Sequence, residues 1–236
     1  VADRQLLAVR GNFPISAPKL EGTWKLDVSD RDLAPFTLGR ALPAFTAVGA
    51  GQFDADASFA AAHTSGKLEA TADRLAVIRP ELAALGAVKL GADFDVARRG
   101  GVLAVERLNL AVTGAQPVLT VRALQSFKLD PKTRELVAAD PARELLGVTL
   151  QGLPLAWAQP LLKDLALSGG DLRGELVASA RANGLTFQSK TPLTLDGLTV
   201  AQGGKPMLRA VDVALTVSGD YAPAAWQAEI ATLTLK

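Results

Sequence analysis

Apolar and polar residues alternate with a period of two along most of this chain, and that pattern constrains the fold more than any motif does. Residues 23–29 read Thr-Trp-Lys-Leu-Asp-Val-Ser. An extended backbone puts Trp24, Leu26 and Val28 on one face and Lys25 and Asp27 on the other, whereas a helix would scatter them around its circumference. Residues 52–59 repeat the arrangement, Phe53, Ala55, Ala57 and Phe59 opposing Asp54, Asp56 and Ser58. The same rule holds at 67–73 around Leu68, at 88–96 around Phe94 and Val96, and at 108–113 around Leu110. It returns at 118–123, at 172–180 around Leu176, at 185–188 with Leu185 and Phe187, and at 193–195 and 198–200. The last examples are 211–217, with Val213 and Val217, and 230–235. Strands with one dry side and one wet side are the mark of antiparallel sheet.

Turn chemistry separates these segments. Ala97-Arg98-Arg99-Gly100-Gly101, Asn183-Gly184, Asp196-Gly197, Gly203-Gly204-Lys205-Pro206 and Ser218-Gly219-Asp220 all read as turns, and so do Val48-Gly49-Ala50-Gly51 and Ser168-Gly169-Gly170. The spacing predicts a long antiparallel meander, an all-β fold with a minor α component. Short helices are predicted at 33–42, 80–85, 141–146 and 155–165, each with Pro or Asp near its start. Two of them open a pattern written twice, in which a helical segment leads through a glycine turn into an alternating strand. The copies fall within 20–123 and 148–236, with a weak boundary in 124–154, so residues 1–236 read as one repetitive β domain.

Composition narrows the function. With 25 Lys and Arg against 24 Asp and Glu in 236 residues, and no basic block, the electrostatic footprint of a nucleic-acid binder is missing. There is no cysteine, which removes thiolate metal sites and Cys nucleophiles. Aromatic residues make up 5% of the chain, with one Tyr, too few for base-stacking or sugar-stacking platforms. No apolar run reaches the 18 or so residues of a spanning helix, and the first residues have no signal-peptide pattern. The chain reads as a piece of a larger protein without a transmembrane segment of its own.

Groups with catalytic chemistry are scarce. The single histidine, His63, reads as a loop residue after the 52–59 strand and is given no role. No G-x-S-x-G elbow accompanies it. Asp54 with Asp56, and Asp93 with Asp95, put two carboxylates on one strand face, as a glycosidase or calcium site would, but a solvated outer face looks the same and no ligand spacing surrounds them. Gly49-Ala50-Gly51 precedes a strand rather than a helix, so it is no phosphate cradle, and Gly169-Gly170 lacks the Lys-Ser/Thr of a P-loop. Trp24, Trp157 and Trp226 read either as core or as ligand contacts. No enzyme, cofactor or metal site is expected.

Asp32-Leu33-Ala34-Pro35-Phe36 followed by Val48-Gly49-Ala50-Gly51 and an alternating strand resembles the AsmA-like group of Gram-negative envelope proteins, which includes TamB. Leu155-Ala156-Trp157-Ala158-Gln159-Pro160 leading into Ser168-Gly169-Gly170-Asp171-Leu172 is similar, as is Leu193-Thr194-Leu195-Asp196-Gly197-Leu198 followed by Val211-Asp212-Val213. The resemblance covers most of residues 20–219. It implies a curled, groove-like (taco-like) β-sheet in the periplasm, anchored at the inner membrane in the full-length protein. Such a groove holds phospholipid acyl chains for intermembrane transport or outer-membrane homeostasis, with other envelope proteins as further partners. On this reading the lipid-contacting row is Trp24, Leu26, Val28, Phe53, Phe59, Leu68, Phe94, Val96, Leu110, Leu176, Leu185, Phe187, Val213 and Val217. The alternative is a structural or assembly β-sandwich module of the envelope, whose closed dry core leaves its outer faces to dock partner proteins. A glycan-processing or glycan-binding β protein is a third, weaker reading, because the chain is poor in Tyr and has no convincing acid pair.

Overall fold

The structure is a computed structural model that describes residues 5–12, 19–36, 41–133, 135–157, 165–181, 184–222 and 225–236. Among these, sixteen strands form one antiparallel sheet. They are β1 (Leu7–Asn12), β2 (Lys19–Ser29), β3 (Ala44–Asp56), β4 (Ala61–Asp73), β5 (Val88–Arg99), β6 (Val102–Thr113), β7 (Pro117–Ala123) and β8 (Phe127–Leu129). Then come β9 (Leu136–Ala138), β10 (Glu144–Pro154), β11 (Leu165–Ser168), β12 (Asp171–Arg181), β13 (Gly184–Ser189), β14 (Leu193–Gln202), β15 (Lys205–Ala222) and β16 (Ala225–Leu235).

The registers reveal a strictly sequential path. β7 and β8 both pair with β6, one at each end, and so form a single broken strand. β9 and β10 continue antiparallel to that pair, and β11 and β12 lie along β14 and β13 in the same way. β13 and β14 then lie end to end along β15, which pairs in turn with β16. The predicted all-β antiparallel fold is therefore present, and as an up-and-down meander it leaves β1 and β16 at its two margins.

The breaks have local causes. β2 ends where Asp32 Oδ2 accepts from both the backbone N and the Oγ of Ser29 at 2.7 Å, which starts α1 (Asp30–Leu33). A 3-10 turn carries that helix through Ala34–Phe36, and residues 37–40 of the expected helix lie outside the described set. Gly100 and Gly101, both at positive φ, close the tight β5–β6 hairpin. Pro80–Leu85 is a 3-10 helix. Residues 155–157 form a helical turn, while 158–164 of the expected second helix and Asn183 of an expected turn lie outside the described residues.

Several readings are corrected. Residues 141–146 are a turn leading into β10 rather than a helix, because Leu145 is drawn into the core. Val48 to Gly51 is the middle of β3, and Ser218 to Asp220 lies inside β15, so neither is a turn. Asp196-Gly197 is a bulge within β14, where the register slips between Leu195 and Leu198. The strand expected over 52–59 stops at Asp56, whose carboxylate accepts from Ser58 Oγ (2.9 Å), Ala60 N (2.9 Å) and Ala61 N (3.0 Å). Phe59 therefore sits in the turn at φ 56°, 57% exposed, outside the row it was expected to join. His63 lies in β4 rather than in a loop.

Buried apolar residues are few, and besides scattered ones such as Val118, Val177, Leu193 and Leu195 they gather in one small dry cluster. Val105, Phe127, Ala138 and Leu145 are buried together, with Val96, Leu108, Leu146, Ala180 and Leu185 against them. Elsewhere, the apolar face is mostly half-buried. The chain exposes 15176 Å², against roughly 10,000 Å² for a compact protein of this size. A single sheet with little covering it accounts for the excess.

Candidate functional site

The pairing registers put all the expected row except Phe59 on one face of the sheet. Trp24 lies opposite Gly51, Gly51 opposite Gly66, and Gly66 opposite Phe94, so one rung crosses four strands. Leu26, Gly49, Leu68, Ala92 and Leu110 form the next, extended through β7 by Val121. Val148 pairs with both Val121 and Leu176, carrying the face into the second half. There Leu185 pairs with Tyr221 and Phe187 with Gly219, while Val217 and Val213 follow on β15 at the same parity.

Four large rings of this face share a structural rule, since each of them sits across from a glycine. Trp24 faces Gly51, Phe53 faces Gly22, Phe94 faces Gly66 and Phe187 faces Gly219. Trp24 lies so low that a Cβ on Gly66 would fall 2.6 Å from its ring, and one on Gly51 2.7 Å. The Trp24 and Phe94 rings stack at 6.1 Å between centroids and 15° between planes, above the glycines of β3 and β4. Trp24 Nε1 donates to Thr64 Oγ1 at 3.2 Å, so its one polar atom is satisfied without water. Glycine thus lets bulky rings lie flat on the strands, which makes a smooth aromatic and aliphatic floor.

Sequence reasoning missed part of this face. Leu7 and Val9 of β1 pair with Leu26 and Trp24, and Ile230, Leu233 and Leu235 of β16 pair with Val217, Leu215 and Val213. All five are more than half exposed or close to it, so the apolar face reaches both margins of the sheet. Alternation alone, Leu7-Ala8-Val9-Arg10, was the available signal. Val213 is buried, but Trp24, Leu26, Val28, Phe53, Leu68, Phe94, Val96, Leu110, Leu176, Leu185, Phe187 and Val217 are half-buried. Trp157 is half-buried at one end of the sheet, next to Gly114, and the Trp226 side chain lies outside the described set.

The opposite face carries the charges. His63 of β4 stands between Asp54 of β3 and Asp95 of β5, with Nδ1 2.9 Å from Asp54 Oδ1 and Nε2 2.7 Å from Asp95 Oδ1. Two carboxylates can only accept, so this geometry suits the imidazolium, which donates from both nitrogens. The hydrogen bond to Asp95, then that to Asp54, raises the His63 pKa above its ordinary value. Lys19 reaches Asp54 at 3.7 Å, and Arg107 Nε donates to Asp93 at 2.9 Å. With both ring nitrogens held by carboxylates, His63 has none left to act as a general base. Asp54, Asp93 and Asp95 serve cross-strand pairing, and Asp56 serves a turn.

No protein-family model, curated protein or solved structure matches the chain. Among the described residues no helix is long and apolar enough to cross a membrane.

Proposed function

We propose that this chain is a non-enzymatic lipid-binding segment that holds acyl chains along the apolar face of its meander, with the lipid head groups toward water. The observation that carries the reading is continuity. An apolar row runs from Leu7 and Val9 to Ile230 and Leu233 across the sheet, yet most of it is only half-buried and its margins are exposed. Sheltering a methylene contributes about 0.8 kcal/mol, so a long strip of this kind favours an acyl chain without any polar recognition. The flat rings over Gly51, Gly66 and Gly219 supply smooth contact for straight chains. A role in moving phospholipid within the cell envelope, in the periplasm of a protein anchored at the inner membrane, belongs to this proposal.

A test uses Trp24 as the reporter, in a chain carrying Trp157→Phe and Trp226→Phe. Phospholipid brominated along its acyl chains should quench Trp24 strongly, and glycerol-brominated phospholipid should not. Equal, weak quenching by both would contradict the reading. A second reading, a structural or assembly module that docks partner proteins, draws on the dry cluster around Leu145. That reading requires the cluster to extend across the whole face.

A further inference from the structure

The charged face holds a recess of about 640 Å³ across β4, β5, β6 and β7, a volume typical of small-ligand sites. Two rungs of the sheet build it. In one, Lys67 pairs with Asp93, Asp93 with Asn109, and Asn109 with Arg122. In the other, Glu69, Gly91, Ala111 and Thr120 follow in the same order. The recess opens on the charged face, because each strand contributes charged-face residues on either side of one whose side chain points away. Its floor is Gly91 and Ala111, where side chains are missing or minimal.

Gly91 differs from the glycines under the aromatic rings. A Cβ placed on Gly22, Gly51, Gly66 or Gly219 meets a ring within 3 Å, whereas one on Gly91 meets nothing within 4 Å. The backbone of Gly91 is ordinary extended strand, so neither conformation nor packing requires glycine there. Glycine weakens a strand, and one at the floor of a recess leaves the backbone open to close approach by another molecule.

The chemistry of the walls defines that molecule. Glu69 is paired with Lys89 at 2.7 Å and Asp93 with Arg107 at 2.9 Å, so both acids are neutralised. Lys67 and Arg122 stand at opposite ends of their rung with no carboxylate bound to either among the described residues. Counted with Lys89 and Arg107 the recess is net cationic, Asn109 adds a neutral donor between the two cations, and Thr120 adds another beside Arg122 on β7. We propose that it binds a phosphate ester carrying hydroxyl groups. The phosphoryl oxygens would take hydrogen bonds from Arg122 and Lys67, and the hydroxyls would bond Asn109, Thr120 and the remaining lone pairs of Asp93 and Glu69. This site is independent of the apolar face and does not rest on acyl-chain binding.

Calorimetric titration with glycerol 3-phosphate, and co-sedimentation with phosphatidylglycerol vesicles, test it on the whole chain. Saturable binding of glycerol 3-phosphate assigns the site to free phosphate esters. Binding to the vesicles alone assigns it to a lipid head group. In either case Gly91→Leu, which fills the floor, should abolish binding, and Lys67→Ala with Arg122→Ala should weaken it by about tenfold or more. Circular dichroism checks that the variants fold, and quenching of Trp24 by brominated chains should be the same in all of them. Absence of binding to both probes, or binding that survives Gly91→Leu and the double substitution, would overturn the proposal.

Discussion

The floor formed by β2 to β5 and the cluster around Leu145 are built from the same raw material, alternating strands with aliphatic and aromatic residues on one side. They end differently. At Leu145 the broken strands β7/β8 and β9/β10 run side by side next to β6, and Val105, Phe127 and Ala138 close around a side chain with 0% exposure. At Trp24 and Phe94 nothing comparable covers the rings, which instead lie down on glycines. One region is dry where its strands break. The other stays accessible because its strands run unbroken from β2 through β5. In this meander the apolar face closes into a dry cluster where the strands are broken.

That contrast predicts unequal costs for truncation. Leu145→Ala should lower stability by about 3 kcal/mol, the usual loss for a fully enclosed leucine, whereas Leu110→Ala on the half-buried row should cost about 1 kcal/mol. Urea denaturation monitored by circular dichroism measures both. Equal losses would mean that the row is itself a closed core.

Glycines sharpen the comparison further. Gly51→Val should destabilise by about 2 kcal/mol or more, because the added group runs into the Ser65 carbonyl and the Trp24 ring, and the change should shift Trp24 fluorescence. Gly91→Val, on the charged face, should be neutral or stabilising by up to about 1 kcal/mol, since valine favours strands and meets open space. Thermal melts of the two variants should move in opposite directions. Matching destabilisation would show that the Gly91 recess is already filled.

The alternation was legible because each strand writes its own faces. Residues 23–29 suffice to identify the dry side of β2, and the meander follows from repeating that reading. Features that depend on a partner strand were not legible. Gly49, Gly51 and Gly219 carry turn chemistry in isolation, and only the register shows a ring opposite Gly51 and Gly219. Phe59 continued the alternation perfectly, but three hydrogen bonds to the Asp56 side chain ended the strand first. Residues 141–146 had a helical start, yet burial of Leu145 outweighed local propensity. His63 acquired its two partners from positions 9 and 32 residues away, a distance that no local pattern bridges.

The smallest expected effect lies on the charged face. His63 has a raised pKa when folded, so its contribution is fully present below about pH 6.5, the unfolded value, and is lost as pH rises through the higher folded value. Because its side chain is 38% exposed, solvent screening limits that contribution to a few tenths of a kcal/mol, at most about 1. His63→Gln should therefore lower the melting temperature at pH 5.5 and leave it nearly unchanged at pH 9. A loss that is equal at both values would mean that the Asp54 and Asp95 contacts do not depend on charge.

Native mass spectrometry of the purified chain asks most directly whether the half-buried row holds lipid. The wild type should carry phospholipid adducts. Phe94→Asp, which puts a charge beside Trp24, and the milder Leu110→Asn should both lose them while keeping the strand signature of the fold. Adducts of unchanged abundance in both folded variants, or none in the wild type, would contradict the account.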